Sequence, residues 1–176
     1  AAESSSAQQA QGLQALMQRQ LPQITQRLNA TLDKLRSPQQ ADAARVDFAV
    51  WWEGLIQRNT GRNIHFQVDG SARDLKLPAE LFDSVADNLI ENALNKSATS
   101  AGLQVRVTFS AAGGGTLTVC DNGAAIAKST ESQLFEAPVP SQSGLGVGLY
   151  HSARQAAQLG YRLALAANRP GTVCFV

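Results

Sequence analysis

Three short motifs follow one another in a fixed order, and they restrict what this chain can fold into more than any other feature. The first is Asn88-Leu-Ile-Glu91-Asn92-Ala-Leu-Asn95-Lys96. Asn88, Asn92 and Lys96 are spaced by four, so on a helix they share one face, flanked by Glu91 and Asn95. The opposite arc carries Phe82, Leu89, Ile90, Ala93 and Leu94. Asn costs about half a kcal/mol relative to Ala inside a helix. A face that is merely wet would more naturally carry Glu, Lys or Gln. An amide oxygen is a hard ligand suited to Mg²⁺, and a neutral amide does not repel phosphates. The stripe therefore reads either as a solvated helix face or as a phosphate and metal site.

The second motif is Asp121-Asn-Gly123-Ala-Ala-Ile126, at the end of the strand-like stretch Thr116–Asp121. Asn-Gly is a strong hairpin signal, yet Ala124–Lys128 makes a poor return strand. The alternative is a carboxylate presented at a strand end. The third motif is Gly144-Leu-Gly146-Val-Gly148-Leu149, followed by a helical pattern to Leu159. Bare N–H groups at a helix start form a phosphate cradle. No Gly-Lys-Ser/Thr follows, so this is not a Walker A loop, and spacing excludes a dinucleotide fingerprint.

Between the motifs, helices and strands interleave. Val46–Ile56 reads as a helix, Asn63–Val68 as a strand, and Pro78 as the first turn of a helix reaching Lys96. Leu103–Phe109 and Thr116–Asp121 are strands joined at Gly113–Gly115, and Arg162–Ala167 and Thr172–Val176 pair around Asn168–Gly171. Residues 124–143 read as a loop. The expected fold is an α+β two-layer sandwich, with a mixed, mostly antiparallel sheet and helices on one face. Upstream, Leu13, Leu16, Met17, Leu21, Ile24, Leu28, Leu32 and Leu35 form a helical seam interrupted by Pro22. It reads either as part of a coiled coil or helical hairpin, or as one helix lying on the core. The expected organisation is a helical segment over 1–36, a linker over 37–45 and a second domain over 46–176.

At 176 residues with net charge +1, the chain has no strong field that would point to nucleic acid. No apolar run is long enough to span a bilayer. The chain starts at Ala1 and stops inside an apparent strand, which suggests a piece of something longer. Cys120 and Cys174 lie in strand-like stretches and read as small buried thiols, in a composition that suits a reducing cytoplasm. His65 reads as half-buried in a strand and His151 as a helix-surface residue. A structural zinc site is not expected, because no Cys/His cluster is present.

Taken together, the three motifs resemble the N box and the two glycine boxes of the histidine-kinase-type (GHKL) ATPase domain, over residues 46–176. The resemblance implies the Bergerat-type ATP-binding fold, with ATP and Mg²⁺ as cofactors. It implies Asn92 as the Mg²⁺ ligand and Lys96 at the phosphates. Asp121 would accept from the adenine amino group, a task suited to an acceptor-only carboxylate. Gly123 would let the backbone approach the base. Gly144, Gly146, Gly148 and Leu149 would close over the phosphates. Ser129–Ser143 would be the lid, with Phe135 packing it down. Gyrase-like and chaperone-like relatives have a glutamate base where this chain has Asn88, which cannot act as a base at neutral pH. Histidine kinases often have Asn there, with an acid at the position of Glu91. Asn88 and Glu91 thus favour phosphoryl transfer, with Glu91 polarising a nucleophile. The family often has Lys or Arg at the position of Asn95 and a second glycine at that of Ala125.

The function implied is that of a sensor histidine kinase's catalytic domain, transferring the γ-phosphoryl group of Mg·ATP to a histidine on a helical hairpin. Neither His65 nor His151 fits that acceptor. The partners implied are ATP, that hairpin and a response regulator. The parent would be a homodimer at the inner membrane, with this domain in the cytoplasm. The alternatives are a nucleotide-binding module without transfer and a serine kinase of the anti-sigma type.

Overall fold

The computed structural model describes residues 45–69, 72, 74–98, 100, 102–137 and 148–176. These belong to a unit spanning Asp42–Val176. The Leu-rich segment 1–36, Gly144, Gly146 and the last part of the expected lid lie outside the described residues.

The chain enters through β1 (Arg45–Asp47) and α1 (Phe48–Arg58), then β2 (Ile64–Asp69) and β3 (Lys76–Pro78). Helix α2 (Ala79–Leu94) follows, continued by a 3₁₀ turn over Asn95–Ala98. The hairpin β4 (Val105–Ser110) and β5 (Thr116–Asp121) comes next, then the short α3 (Lys128–Glu131). Helix α4 (Gly148–Gln158) and the hairpin β6 (Leu165–Arg169) and β7 (Thr172–Phe175) complete the unit. The main sheet has the order β2-β4-β5-β7-β6, with β2 parallel to β4 and every other pair antiparallel. The expected α+β sandwich with a mixed, mostly antiparallel sheet is the fold observed.

Period-two alternation places Val105, Val107, Phe109, Leu117, Val119, Val173 and Phe175 on one sheet face, all buried. Against them α1 presents Phe48, Trp51, Trp52 and Leu55, and α2 presents Leu81, Phe82, Ala86, Leu89, Ile90 and Ala93. The rings of Phe48 and Phe109 lie 4.4 Å apart at the centre. The opposite sheet face carries Arg106, Thr108, Thr118, Cys120 and Cys174, none of them fully buried. The tight β4–β5 connection needs Gly113, Gly114 and Gly115, all at positive φ.

Several local expectations are corrected. Pro78 is the last residue of β3 and the N-cap of α2, not its first turn, because β3 pairs with β1 and holds Pro78 extended. Neither the small β1–β3 sheet nor α3 announces itself in the sequence, being three and four residues long. His65 is exposed on β2 rather than half-buried. The two cysteines are not separate thiols. Cys120 and Cys174 are directly opposed across β5 and β7 and form a disulfide, with Cα atoms 4.1 Å apart.

Candidate functional site

The polar stripe of α2 runs between two structures that the topology brings to its ends. At one end, Asp121 closes the buried central strand β5 with its side chain turned to the helix layer. A carboxylate in such a place needs partners. Lys96 supplies them, its Nζ lying 2.8 Å from Oδ1 and 2.7 Å from Oδ2. The Gly123 N–H donates to Oδ1 at 2.9 Å. A Cβ at Gly123 would come within 2.9 Å of both Asp121 Oδ1 and Lys96 Cδ, and 3.2 Å from Leu103 Cδ1. Glycine is therefore required by the close approach of the lysine stem and the carboxylate.

The loop beyond Gly123 is pinned rather than turned back as a hairpin. Gly171 N–H donates to Gly123 O at 2.9 Å. Asn168 accepts from Ile126 N–H at 2.8 Å and donates to Ile126 O at 2.9 Å and to Glu131 Oε2 at 2.8 Å. Asn168 is a site-shaping residue that sequence reading missed. It lies in an apparent turn, and its partners Ile126 and Glu131 are 42 and 37 residues away.

At the other end of the stripe, Asn88 Nδ2 donates to Ser84 O and to Ser152 Oγ of α4, both at 2.9 Å. A Cβ at Gly148 would meet Asn88 Oδ1 at 2.6 Å, so the helix after the glycine loop approaches α2 through Asn88. Leu149 is half-buried against the core. Asn92 lies between the two ends, one turn from Asn88 and one from Lys96. It is exposed, and no hydrogen bond holds its amide among the described residues.

Glu91 is rotated off this line. Its Oε1 accepts from Arg62 Nη2 at 2.6 Å, and Arg62 Nη1 donates to Asn59 Oδ1 at 3.0 Å. Asn59 is buried and donates to Leu55 O at 2.9 Å. Arg58 extends this ladder to Asp83, which also accepts from Trp51 Nε1 at 2.8 Å. Nearby Asp87 has its carboxyl raised above the ordinary range, first by burial.

Phe135 is half-buried, edge-on to Phe175 at 6.3 Å, while its neighbour Leu134 is the side chain fully inside the core. The structure thus joins Lys96, Asp121 and Gly123 in one cluster and Asn88 and Gly148 in another. Asn92 lies between the two, and Glu91 lies aside. Lys96 is directed to the Asp121 end, although the resemblance implied phosphates for it.

The family described as histidine kinase-, DNA gyrase B- and HSP90-like ATPases matches residues 79–176, more than half of the chain. Among solved structures, full-length ShkA in complex with AMPPNP is similar, with a TM-score of 0.63 and 21% identity over 75% of this chain. This chain spans 29% of ShkA's length. The catalytic domain of the histidine kinase ThkA gives a TM-score of 0.60 at 19% identity, covering 75% of this chain and 92% of that one. The mycobacterial sensor histidine kinase MprB gives 0.57 at 20% identity, covering 74% and 92%. At these identities the likeness is one of fold. No curated protein matches the chain. On the extent of the family match, this chain belongs to the histidine kinase-, DNA gyrase B- and HSP90-like ATPases.

Proposed function

We propose that this is the ATP-binding catalytic domain of a two-component sensor kinase, passing the γ-phosphoryl group of Mg·ATP to a histidine on a helical hairpin. One observation carries the reading. The Asp121 cluster and the Asn88–Gly148 contact lie at two ends of one helix face. Lys96 and Asn88 are eight residues apart, about 12 Å along the axis, which lets a nucleotide lie from base to phosphates. The base belongs at Asp121 and Gly123, and the phosphates at Asn88, Asn92 and the glycine loop.

The donor set fits Mg²⁺. Asn92 offers an exposed amide oxygen, and Mg²⁺ takes few protein ligands beside phosphate oxygens and water. When bound, the metal would neutralise charge developing on the transferred group. The chain's own residues position the reactants. In the transfer, the bond from the γ-phosphorus to the bridging oxygen breaks, a bond to an imidazole nitrogen forms, and ADP leaves. Asn88 offers no base for activating water, which favours transfer over hydrolysis. The same reading carries a response regulator as phosphate recipient, a homodimeric membrane-bound parent and a cytoplasmic site of action. ThkA has been solved with the response regulator TrrA.

A nucleotide-binding module without transfer is the second reading. It is favoured by Arg62, which engages the Glu91 carboxylate that the kinase reading would have polarise a nucleophile. Calorimetry with AMPPNP is expected to show binding that Mg²⁺ strengthens and that Asp121→Asn removes. Supplying the parent hairpin with Mg·ATP should yield acid-labile phosphate. Binding without transfer would leave the second reading, and absence of binding would end both.

A further inference from the structure

Lys96 covers the carboxylate that is to read the base. The Asp121 side chain is 3% exposed and that of Lys96 is 21% exposed. Lys96 is therefore the more exposed partner of the pair. The lysine is seated, not stray: its Cδ occupies the space that Gly123 leaves by having no Cβ, and its Nζ contacts both carboxylate oxygens.

Hydrogen-bond chemistry gives this placement a consequence. A carboxylate alone is acceptor-only, so it receives an exocyclic amino group at purine position 6 and repels an oxygen there. An ammonium is donor-only and does the reverse. Adenine can donate its amino group to a lone pair of Asp121 that Nζ leaves open, but it offers Nζ no acceptor at position 6. Guanine can accept at O6 from Nζ, and its ring and exocyclic N–H groups can donate to the same carboxylate.

We infer that Lys96 is a specificity-determining residue that opens the base end to 6-oxo purine nucleotides alongside adenine nucleotides. This rests on the reading that the Asp121 end receives the base. The neutralised Lys96–Asp121 pair sorts purines by matching donors with acceptors, not by the carboxylate alone.

The test is calorimetric titration of the whole chain with AMPPNP and with GMPPNP, in wild type, Lys96→Met and Lys96→Arg. The wild type is expected to bind the two within about tenfold of each other. Lys96→Met keeps the stem and loses the donor, and should move the ratio toward adenine by about tenfold or more, the size of a charged hydrogen bond. Lys96→Arg keeps a donor and should hold the ratio near that of the wild type. A wild type that rejects GMPPNP by about a hundredfold or more overturns the inference, even if Lys96→Met does not fold. So does Lys96→Met weakening both nucleotides equally. In either case AMPPNP binding leaves the proposed function standing. If neither nucleotide binds the wild type, the proposed function falls and takes this inference with it.

Discussion

The two ends of the α2 stripe are built in opposite ways. At the Asp121 end, a buried carboxylate terminates a central strand, is paired with a lysine, and is followed by a loop held through Gly171 and Asn168. The strand beneath it is joined to β7 by hydrogen bonds and by the Cys120–Cys174 disulfide. At the Asn88 end, one amide among the described residues bridges α2 to Ser152, and Asn92 is exposed. One end is closed by a buried charged pair, while the other is joined through neutral side chains. On the proposed function, such preorganisation would lower the ordering cost of seating a base at Asp121.

The largest expected effect comes from cutting the cross-link beneath the Asp121 end. Its cysteines are 54 residues apart in sequence, and removing a link of that span costs about 2–4 kcal/mol of stability. Chemical denaturation of Cys120→Ser/Cys174→Ser against wild type measures this. Amide exchange should quicken more around Asp121 and Gly123 than in the α2 turn from Asn88 to Asn92. Equal quickening at both ends would erase the distinction between them.

Next comes a methyl group added at each end. Gly123→Ala drives a Cβ against Asp121, Lys96 and Leu103 together, and is expected to cost about 2–3 kcal/mol as overpacking. Among the described residues, the atoms nearest a Cβ in Gly148→Ala are all of Asn88, and the change should cost about 1 kcal/mol, the value of the displaced hydrogen bond to Ser152. The two are separable by a double-mutant cycle. Asn88→Ala should relieve most of the Gly148→Ala cost, since it removes the nearest described group. A fully additive pair would show that the contact does not set the spacing of α2 and α4.

Much of this could be read from the chain because local pattern and topology agree. The buried alternation of β4 and β5 and the apolar arc of α2 are written residue by residue, so the sandwich and the stripe were both legible. What stayed hidden depends on register between distant segments. Nothing near Cys120 indicates that Cys174 lies opposite it, because β7 arrives from another hairpin. Lys96 is one helical step past the position where the family often has a basic residue, and it reaches Asp121 from the 3₁₀ turn after Leu94. Arg62 lies in a loop with no periodic signal. Its pairing with Glu91 required the return of α1 alongside α2, which the sequence does not express.

The smallest expected effect is on the flank of the open end, at Asp87, one residue before Asn88. Burial is the main cause raising its carboxyl above the ordinary 3.8, with Asp83 and Glu91 adding to it and Arg58 and Arg62 opposing. A carboxyl whose folded pKa is raised holds its proton more tightly when folded. Its contribution to stability is complete below about 3.8 and is lost as pH rises through the raised value. At neutral pH the ionised Asp87 therefore opposes folding. The opposition is weak, because the side chain is 58% exposed and screened by water. Asp87→Asn should stabilise the protein at pH 7 by a few tenths of a kcal/mol, within the roughly 0.5 kcal/mol usual for surface changes. The gain should vanish below about pH 3.8, where wild type is protonated too. Paired denaturation curves at the two pH values measure the difference. A variant less stable than wild type at pH 7 would mean that the Arg58 contact, at 3.9 Å, outweighs burial, and that this flank is held by charge as the Asp121 end is.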